Sequence, residues 1–209
     1  MTKPLSSFHL GVFILGGGAS LRMGKPKLLL PWGDTSILGH LLRLYSNANT
    51  TQVAVVCSIG DENIIAELDR LAWPIKSRIL NPEITPEMFS SVLCGFKWDG
   101  WQADISHLAV TLGDQPLIRE KTITDLVAHA MQTPKNICQP LYKNRRRHPV
   151  IIPRHMTKKV TFENYPNLKY VLNDYKDNIS VYPCDDPGLV IDIDTPADYE
   201  DALRHFNKG

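Results

Sequence analysis

The sequence has almost no charge of one sign in excess. Its 23 Lys and Arg stand against 22 Asp and Glu, a formal net charge of +1 over 209 residues. Nucleic-acid and polybasic membrane binders need clustered cations to neutralise phosphates, so neither class is expected. A long hydrophobic run is also missing. The first apolar stretch, Leu10 to Leu15, is too short to span a bilayer and runs into glycines. No small-residue cleavage site follows an apolar leader, so no secretory signal is expected. Cysteine is sparse: Cys57, Cys94, Cys138 and Cys184 form no CxxC pair, which excludes a zinc knuckle or a thioredoxin-like motif. Isolated thiols in apolar stretches such as Val53 to Cys57 read as buried and reduced, in keeping with a cytoplasmic setting. The remaining composition, 43% hydrophobic and 22% charged, is that of an ordinary globular chain. A chain of this length buries roughly 70% of its unfolded surface without staples. No linker, repeat or low-complexity stretch divides it, and a single domain over 1–209 is expected.

Short β-branched or apolar runs alternate with stretches of helical spacing. His9 to Leu15, Gln52 to Cys57 and His107 to Leu112 read as buried strands. Ile137 to Pro140, Pro149 to Ile152, Ile179 to Tyr182 and Leu189 to Ile191 are shorter candidates. Helices are expected over Ser36–Ala48, Glu62–Trp73, Pro86–Lys97, Lys121–Gln132 and Pro196–Phe206. Asp61 stands at an N-cap position, and Thr195 before Pro196 is a cap-then-proline helix start. Periodicity fades over 142–170, which contains the basic run Lys143 to Arg147. Near-continuous apolar strands separated by helices imply an α/β fold: a doubly wound, mostly parallel, Rossmann-like sheet covered on both faces. In such sheets ligands bind beyond the carboxyl ends of the strands, so chemistry is sought just after each strand.

After the first strand come Leu15-Gly16-Gly17-Gly18-Ala19-Ser20-Leu21-Arg22-Met23-Gly24-Lys25-Pro26-Lys27. Successive glycines let main-chain N–H groups approach an anion without Cβ obstruction. Arg22 and Lys27 add positive charge, and the combination suits a polyphosphate. A Walker loop does not fit: Ala19 occupies its first glycine and Pro26 its Ser/Thr position. The dinucleotide fingerprint fails at Leu21. A tight turn with solvated charges is the bland alternative. After the third strand, Thr111-Leu112-Gly113-Asp114-Gln115-Pro116 places one carboxylate at the ligand edge of the sheet, where it suits Mg²⁺ or serves as a simple turn former. Near the end, Asp192-Ile193-Asp194-Thr195-Pro196 would point two carboxylates to one side of an extended segment. Such a pair facing phosphates would repel unless a divalent ion lay between it and Asp114, although Asp194 could merely cap the following helix.

The first of these segments, continuing through Leu28-Leu29-Leu30-Pro31, resembles the LxxGxSxRMGxxKxLLP signature of the MobA-like nucleotidyltransferases, most nearly the molybdenum-cofactor cytidylyltransferases. Four weaker segments follow in the family's order. Asn81-Pro82-Glu83 with Met88 to Gly95 is similar to its N…GMxxSxxxG segment, with Glu87 in place of the usual Gly. Gly113-Asp114-Gln115-Pro116 follows, then Arg147-His148-Pro149-Val150, which resembles GHPV with Arg147 in place of Gly. Asp192 to Asp198 resembles the closing (D/N)I(D/N)TPED. The resemblance implies a nucleotide-diphospho-sugar-transferase-like fold and transfer of NMP from an NTP to a phosphorylated acceptor. Nucleotide would be held by Leu15, Gly16, Gly17, Gly18, Ser20, Arg22, Lys27, Asn81 and Ser91. Arg147 and His148 would meet the acceptor. Asp114, Asp192 and Asp194 would hold Mg²⁺ or Mn²⁺, and Arg22, Lys27 and Asp114 would carry catalysis. Glycine in the Leu15 to Gly18 start leans towards GTP, while three later segments resemble the cytidylyl branch; CTP is the expectation. The implied acceptor is molybdopterin, and a molybdoenzyme maturation protein is a candidate partner. An NAD(P)H-dependent reductase and a non-catalytic nucleotide-binding maturation factor remain open alternatives.

Overall fold

A computed structural model describes residues 8–16, 26–83 and 86–207. In chain order these residues form β1 (Leu10–Leu15), β2 (Pro31–Trp32), β3 (Thr35–Ser36), α1 (Ile37–Asn47), β4 (Gln52–Ser58), α2 (Glu62–Arg70) and β5 (Arg78–Asn81). Then come α3 (Met88–Lys97), β6 (His107–Leu112), α4 (Glu120–Gln132), β7 (Ile137–Tyr142), β8 (Arg145–Arg146) and β9 (Val150–Pro153). The chain closes with α5 (Arg154–Phe162), α6 (Leu168–Asp174), β10 (Ile179–Pro183) and α7 (Pro196–Phe206).

The main sheet runs β10-β7-β9-β6-β1-β4-β5, with β8 paired to β7. β1 is parallel to both β4 and β6, with Leu15 opposite Val56 and Leu112. β9 is antiparallel to β6 and β7, and β8 is antiparallel to β7, which makes the sheet mostly but not wholly parallel. Strand alternation sorts side chains into two cores. Leu10, Val12 and Ile14 of β1 join Val53, Val55 and Cys57 of β4 on the face covered by α1, α2 and α4. Phe13 and Leu15 join Ala54 and Val56 on the face covered by α3, α5 and α6. This two-sided burial is why β1 and the centre of β4, Val53 to Cys57, carry apolar residues at successive positions rather than at alternate ones.

Caps expected from sequence are formed. The Asp61 side chain accepts from Ile64 N–H, and Thr195 with Asp198 makes a reciprocal capping box ahead of α7. Three expectations are corrected. Leu189 to Ile191 is not a strand: Pro187–Val190 is a single 3-10 turn whose Gly188 N–H donates to the Asp186 carboxylate at 2.9 Å. The 142–170 stretch, where periodicity fades, carries more secondary structure than the expected Pro149 to Ile152 strand, which is formed as β9. Lys143 and Asn144 both have positive φ, the requirement of a two-residue hairpin turn, so the basic run becomes the turn and strand β8, followed by β9, α5 and α6. Strand β5, absent from the sequence reading, closes one edge of the sheet against β4.

Candidate active site at the carboxyl end of β1 and β6

Close backbone approach builds the floor of the site. A Cβ on Gly113 would lie 2.7 Å from the Leu15 carbonyl oxygen and 2.9 Å from Leu28 Cδ2. Glycine is therefore required for the β1 end, the β6 end and the 3-10 turn Lys27–Leu29 to meet. Gly16 N–H donates to the Val56 carbonyl at 2.8 Å, tying the start of the glycine-rich segment to β4. Gly17, Gly18, Ser20 and Arg22 lie outside the described residues.

Lys27, 87 residues away in sequence, reaches Asp114. Its Nζ donates to Asp114 Oδ2 at 2.8 Å and to Asp194 Oδ1 at 3.3 Å. Asp114 Oδ1 is buried and has no hydrogen-bond partner among the described residues. Next to it, Gln115 is buried, and its Nε2 donates to Asp192 Oδ1 at 2.7 Å. Ile193 is fully buried between Asp192 and Asp194, and its N–H donates to the Asp114 carbonyl at 2.9 Å. The two carboxylates thus flank an inward isoleucine, as alternation predicts, but they stand on an irregular segment rather than a strand. Each has its own partner, Gln115 for Asp192 and Lys27 for Asp194. Among the described residues no three His, Cys, Asp or Glu are grouped as a metal cage. Mg²⁺ does not need one, since it usually takes one or two carboxylates together with substrate phosphates.

The Asp114 turn is braced from α1, which sequence reasoning missed. His40 Nε2–H donates to the Pro116 carbonyl at 2.9 Å, and the Tyr45 hydroxyl bonds the Thr111 hydroxyl in the strand beneath. Burial pushes the His40 pKa below the usual histidine value, and the Pro116 hydrogen bond opposes that only in part. Gly188 supports the turn from the other side: a Cβ there would stand 2.1 Å from the Leu117 oxygen.

His148 reaches the same place from the hairpin side. Its Nδ1–H donates to the Val110 carbonyl at 3.4 Å, and it lies close enough to Asp114 and Asp192 to feel their charge. Burial outweighs that attraction and holds its pKa below the ordinary value, leaving the ring neutral at pH 7. Arg147 is partly buried and held through its main chain, its N–H donating to Pro140 and its carbonyl accepting from Gln139 Nε2. Its Nε has no partner among the described residues. Asn81 and Ser91 are brought together but turned inward. Both are buried, Asn81 Nδ2 donates to Ser91 Oγ at 3.1 Å and to Ser90 Oγ at 3.0 Å, and Asn81 Oδ1 accepts from Glu83 N–H. Their visible role is to pin the end of β5 to the first turn of α3. Asp114, Lys27, Asp192, Asp194 and His148 are therefore brought together at the carboxyl ends of β1 and β6, while Asn81 and Ser91 bond each other instead, at the end of β5.

The family model described as MobA-like NTP transferase domain matches residues 12–172. A curated relative, the bifunctional protein GlmU of Mycolicibacterium paratuberculosis, is 34% identical over 123 residues, covering 56% of this chain and 24% of its own length. The chain thus spans about a quarter of the curated relatives it matches. Among solved structures, the Rv0371c homologue from Mycobacterium sp. strain JC1 superposes with a TM-score of 0.78 at 22% identity, covering 95% of this chain and 97% of that one. Rv0371C of Mycobacterium tuberculosis H37Rv in complex with manganese gives 0.72 at 18% identity, covering 95% and 99%. Molybdopterin-guanine dinucleotide biosynthesis protein A from Archaeoglobus fulgidus gives 0.67 at 15% identity, covering 95% and 100%. These likenesses establish a shared fold.

Proposed function

Because the chain belongs to the MobA-like NTP transferase family, we propose that it is a divalent-metal-dependent nucleotidyltransferase that transfers NMP from an NTP to a phosphorylated acceptor, releasing pyrophosphate. The observation that carries this reading is the contact of Lys27, which follows the glycine-rich segment after β1, with Asp114 at the end of β6, with Asp192 held by Gln115, the neighbour of Asp114.

An acceptor phosphate is already ionised, so the reaction needs no protein nucleophile and little base catalysis. What it needs is in-line placement of acceptor and α-phosphate, and neutralised charge on the leaving pyrophosphate. The glycine-rich segment and Arg22 supply main-chain donors and a guanidinium for β- and γ-phosphates, and Lys27 supplies a mobile ammonium. Asp114 fits a divalent cation because its buried Oδ1 is unpartnered among the described residues. Asp192, oriented by Gln115, completes a two-carboxylate set for Mg²⁺ or Mn²⁺. When bound, such an ion polarises phosphate oxygens and neutralises charge in the transition state. In this reading the neutral His148 ring, close to Asp114 and Asp192, and Arg147 beside it would meet the acceptor. The resemblance to the cytidylyl branch in three segments favours CTP, and molybdopterin is the acceptor that resemblance implies.

The test is pyrophosphate release from CTP, GTP, ATP and UTP with Mg²⁺ or Mn²⁺ and a molybdopterin acceptor. CTP is expected to support turnover best, with GTP next. Asp114→Asn should lower turnover by a factor of about 10³ while leaving the circular dichroism spectrum unchanged. Near-normal rates in that variant, or no pyrophosphate from any nucleotide, would refute the reading.

A further inference from the structure

Lys27 is engaged with carboxylates in the nucleotide-free chain, and that engagement bears on the order in which ligands can bind. Leu28 is buried against the Cβ-less face of Gly113, so the main chain on either side of Lys27 and Asp114 is held in place. The Lys27 side chain, with four rotatable methylenes, is the part able to move. Its ammonium sits on Asp114 Oδ2 and is braced by Asp194, whose side chain is 41% exposed. An ammonium and a divalent cation on one partly buried carboxylate would repel strongly. Lys27 on Asp114 Oδ2 therefore weakens the hold of the same carboxylate on a divalent cation at Oδ1.

We propose that Lys27 is a built-in counter-ion lock. In the nucleotide-free enzyme its ammonium occupies Asp114, with Asp194 as the brace and not a metal ligand. The polyphosphate of an incoming nucleotide draws the ammonium away, so the divalent cation enters with or after the nucleotide and not before it. This rests on the nucleotidyl-transfer reading and adds to it an order of binding and a division of labour between Asp192 and Asp194.

The experiment measures Mn²⁺ binding to the full chain, without nucleotide or acceptor, from the loss of the free-ion electron paramagnetic resonance signal. Wild type is compared with Lys27→Met, with Lys27→Gln as a second neutral variant, and with Lys158→Met as a surface-charge control on an exposed residue. Either Lys27 variant should bind Mn²⁺ roughly tenfold more tightly than wild type, the scale of an ordinary coupling between two ligands. Lys158→Met should leave the affinity unchanged. In the Lys27→Met background, Asp114→Asn should abolish the gain, and Asp194→Asn should preserve it. Equal affinity in wild type and both Lys27 variants, a gain that survives Asp114→Asn, or a gain lost with Asp194→Asn would overturn the proposal. Because no turnover is measured, failure of the nucleotide panel would refute the reaction without obscuring this comparison.

Discussion

Asp186 is the buried charge on which the geometry around the Asp114 turn most depends, and removing it has a calculable cost. Its side chain is 1% exposed. Oδ2 accepts from Arg119 N–H at 2.9 Å and from Thr122 Oγ1 at 2.7 Å, while Oδ1 accepts from Gly188 N–H at 2.9 Å. The carboxylate thus ties the entry of α4 to the Pro187–Val190 turn, and that turn packs on Leu117. Asp186→Ala leaves the buried Gly188 N–H and Thr122 hydroxyl and the part-buried Arg119 N–H without this acceptor, and removes the carboxylate 3.9 Å from the exposed Arg119 guanidinium. Each unsatisfied donor costs about 1–3 kcal/mol, and water entering the vacated space recovers part of that. A net loss of roughly 3–5 kcal/mol follows, in line with the cost of breaking other buried charge networks. For a chain of this size that is a fall in Tm of about 6–20 °C. Urea unfolding and calorimetry would measure it, with the exposed neighbour Asp185→Ala as a control expected to change stability by no more than about 0.5 kcal/mol. A loss below about 1 kcal/mol for Asp186→Ala would refute the reasoning, since it would mean those donors find other acceptors at little cost.

What the sequence reveals and what it hides divide along a physical line. β1, β4 and β6 are legible because both faces are buried, so the strands are mostly apolar on both faces. α7 is legible because Thr195 and Pro196 mark its start chemically. β5 is hidden because four residues, with Arg78 and the half-exposed Leu80 among them, carry no usable periodicity. α5 buries only Thr157 and Val160, too narrow a stripe to stand out from a loop. The 143–144 turn did carry a signal, an Asn in a basic run, since Asn tolerates positive φ better than most residues. For the site, residue identities after each strand are readable because the fold class fixes where ligands bind. The pairings are not. Lys27 with Asp114, Gln115 with Asp192 and His40 with Pro116 each join residues more than 70 positions apart. The inward turn of Asn81 onto Ser91 is equally invisible, because a hydroxyl and an amide at those positions serve a ligand or a helix start with the same letters.

Two further outcomes are expected. Gly188→Ala should destabilise the chain by about 2 kcal/mol or more, because its methyl would stand 2.1 Å from the Leu117 oxygen, a backbone atom that cannot rotate aside; wild-type Tm in that variant would contradict the packing. Stability should also fall on mild acidification, through His40 and His107, whose pKa values burial holds below the ordinary value. In the unfolded chain each titrates near 6.5, and in the folded chain each takes up its proton only at lower pH. As pH drops below about 6.5 the unfolded state therefore binds protons that the native state refuses, and stability declines by up to about 1.4 kcal/mol per pH unit for each histidine. Above pH 7.5 both are neutral in either state and contribute no slope. Urea midpoints between pH 5.5 and 8 would measure this, and a midpoint at pH 5.5 equal to that at pH 7.5 would mean the two rings are protonated in place. His40 makes the consequence local as well as global. Its Nε2–H stays a donor to the Pro116 carbonyl in either protonation state, but a cation in that buried place favours opening towards water, so the loss of stability at low pH should be accompanied by lower hydrogen-exchange protection factors, corrected for the intrinsic rate at each pH, in the turn that carries Asp114.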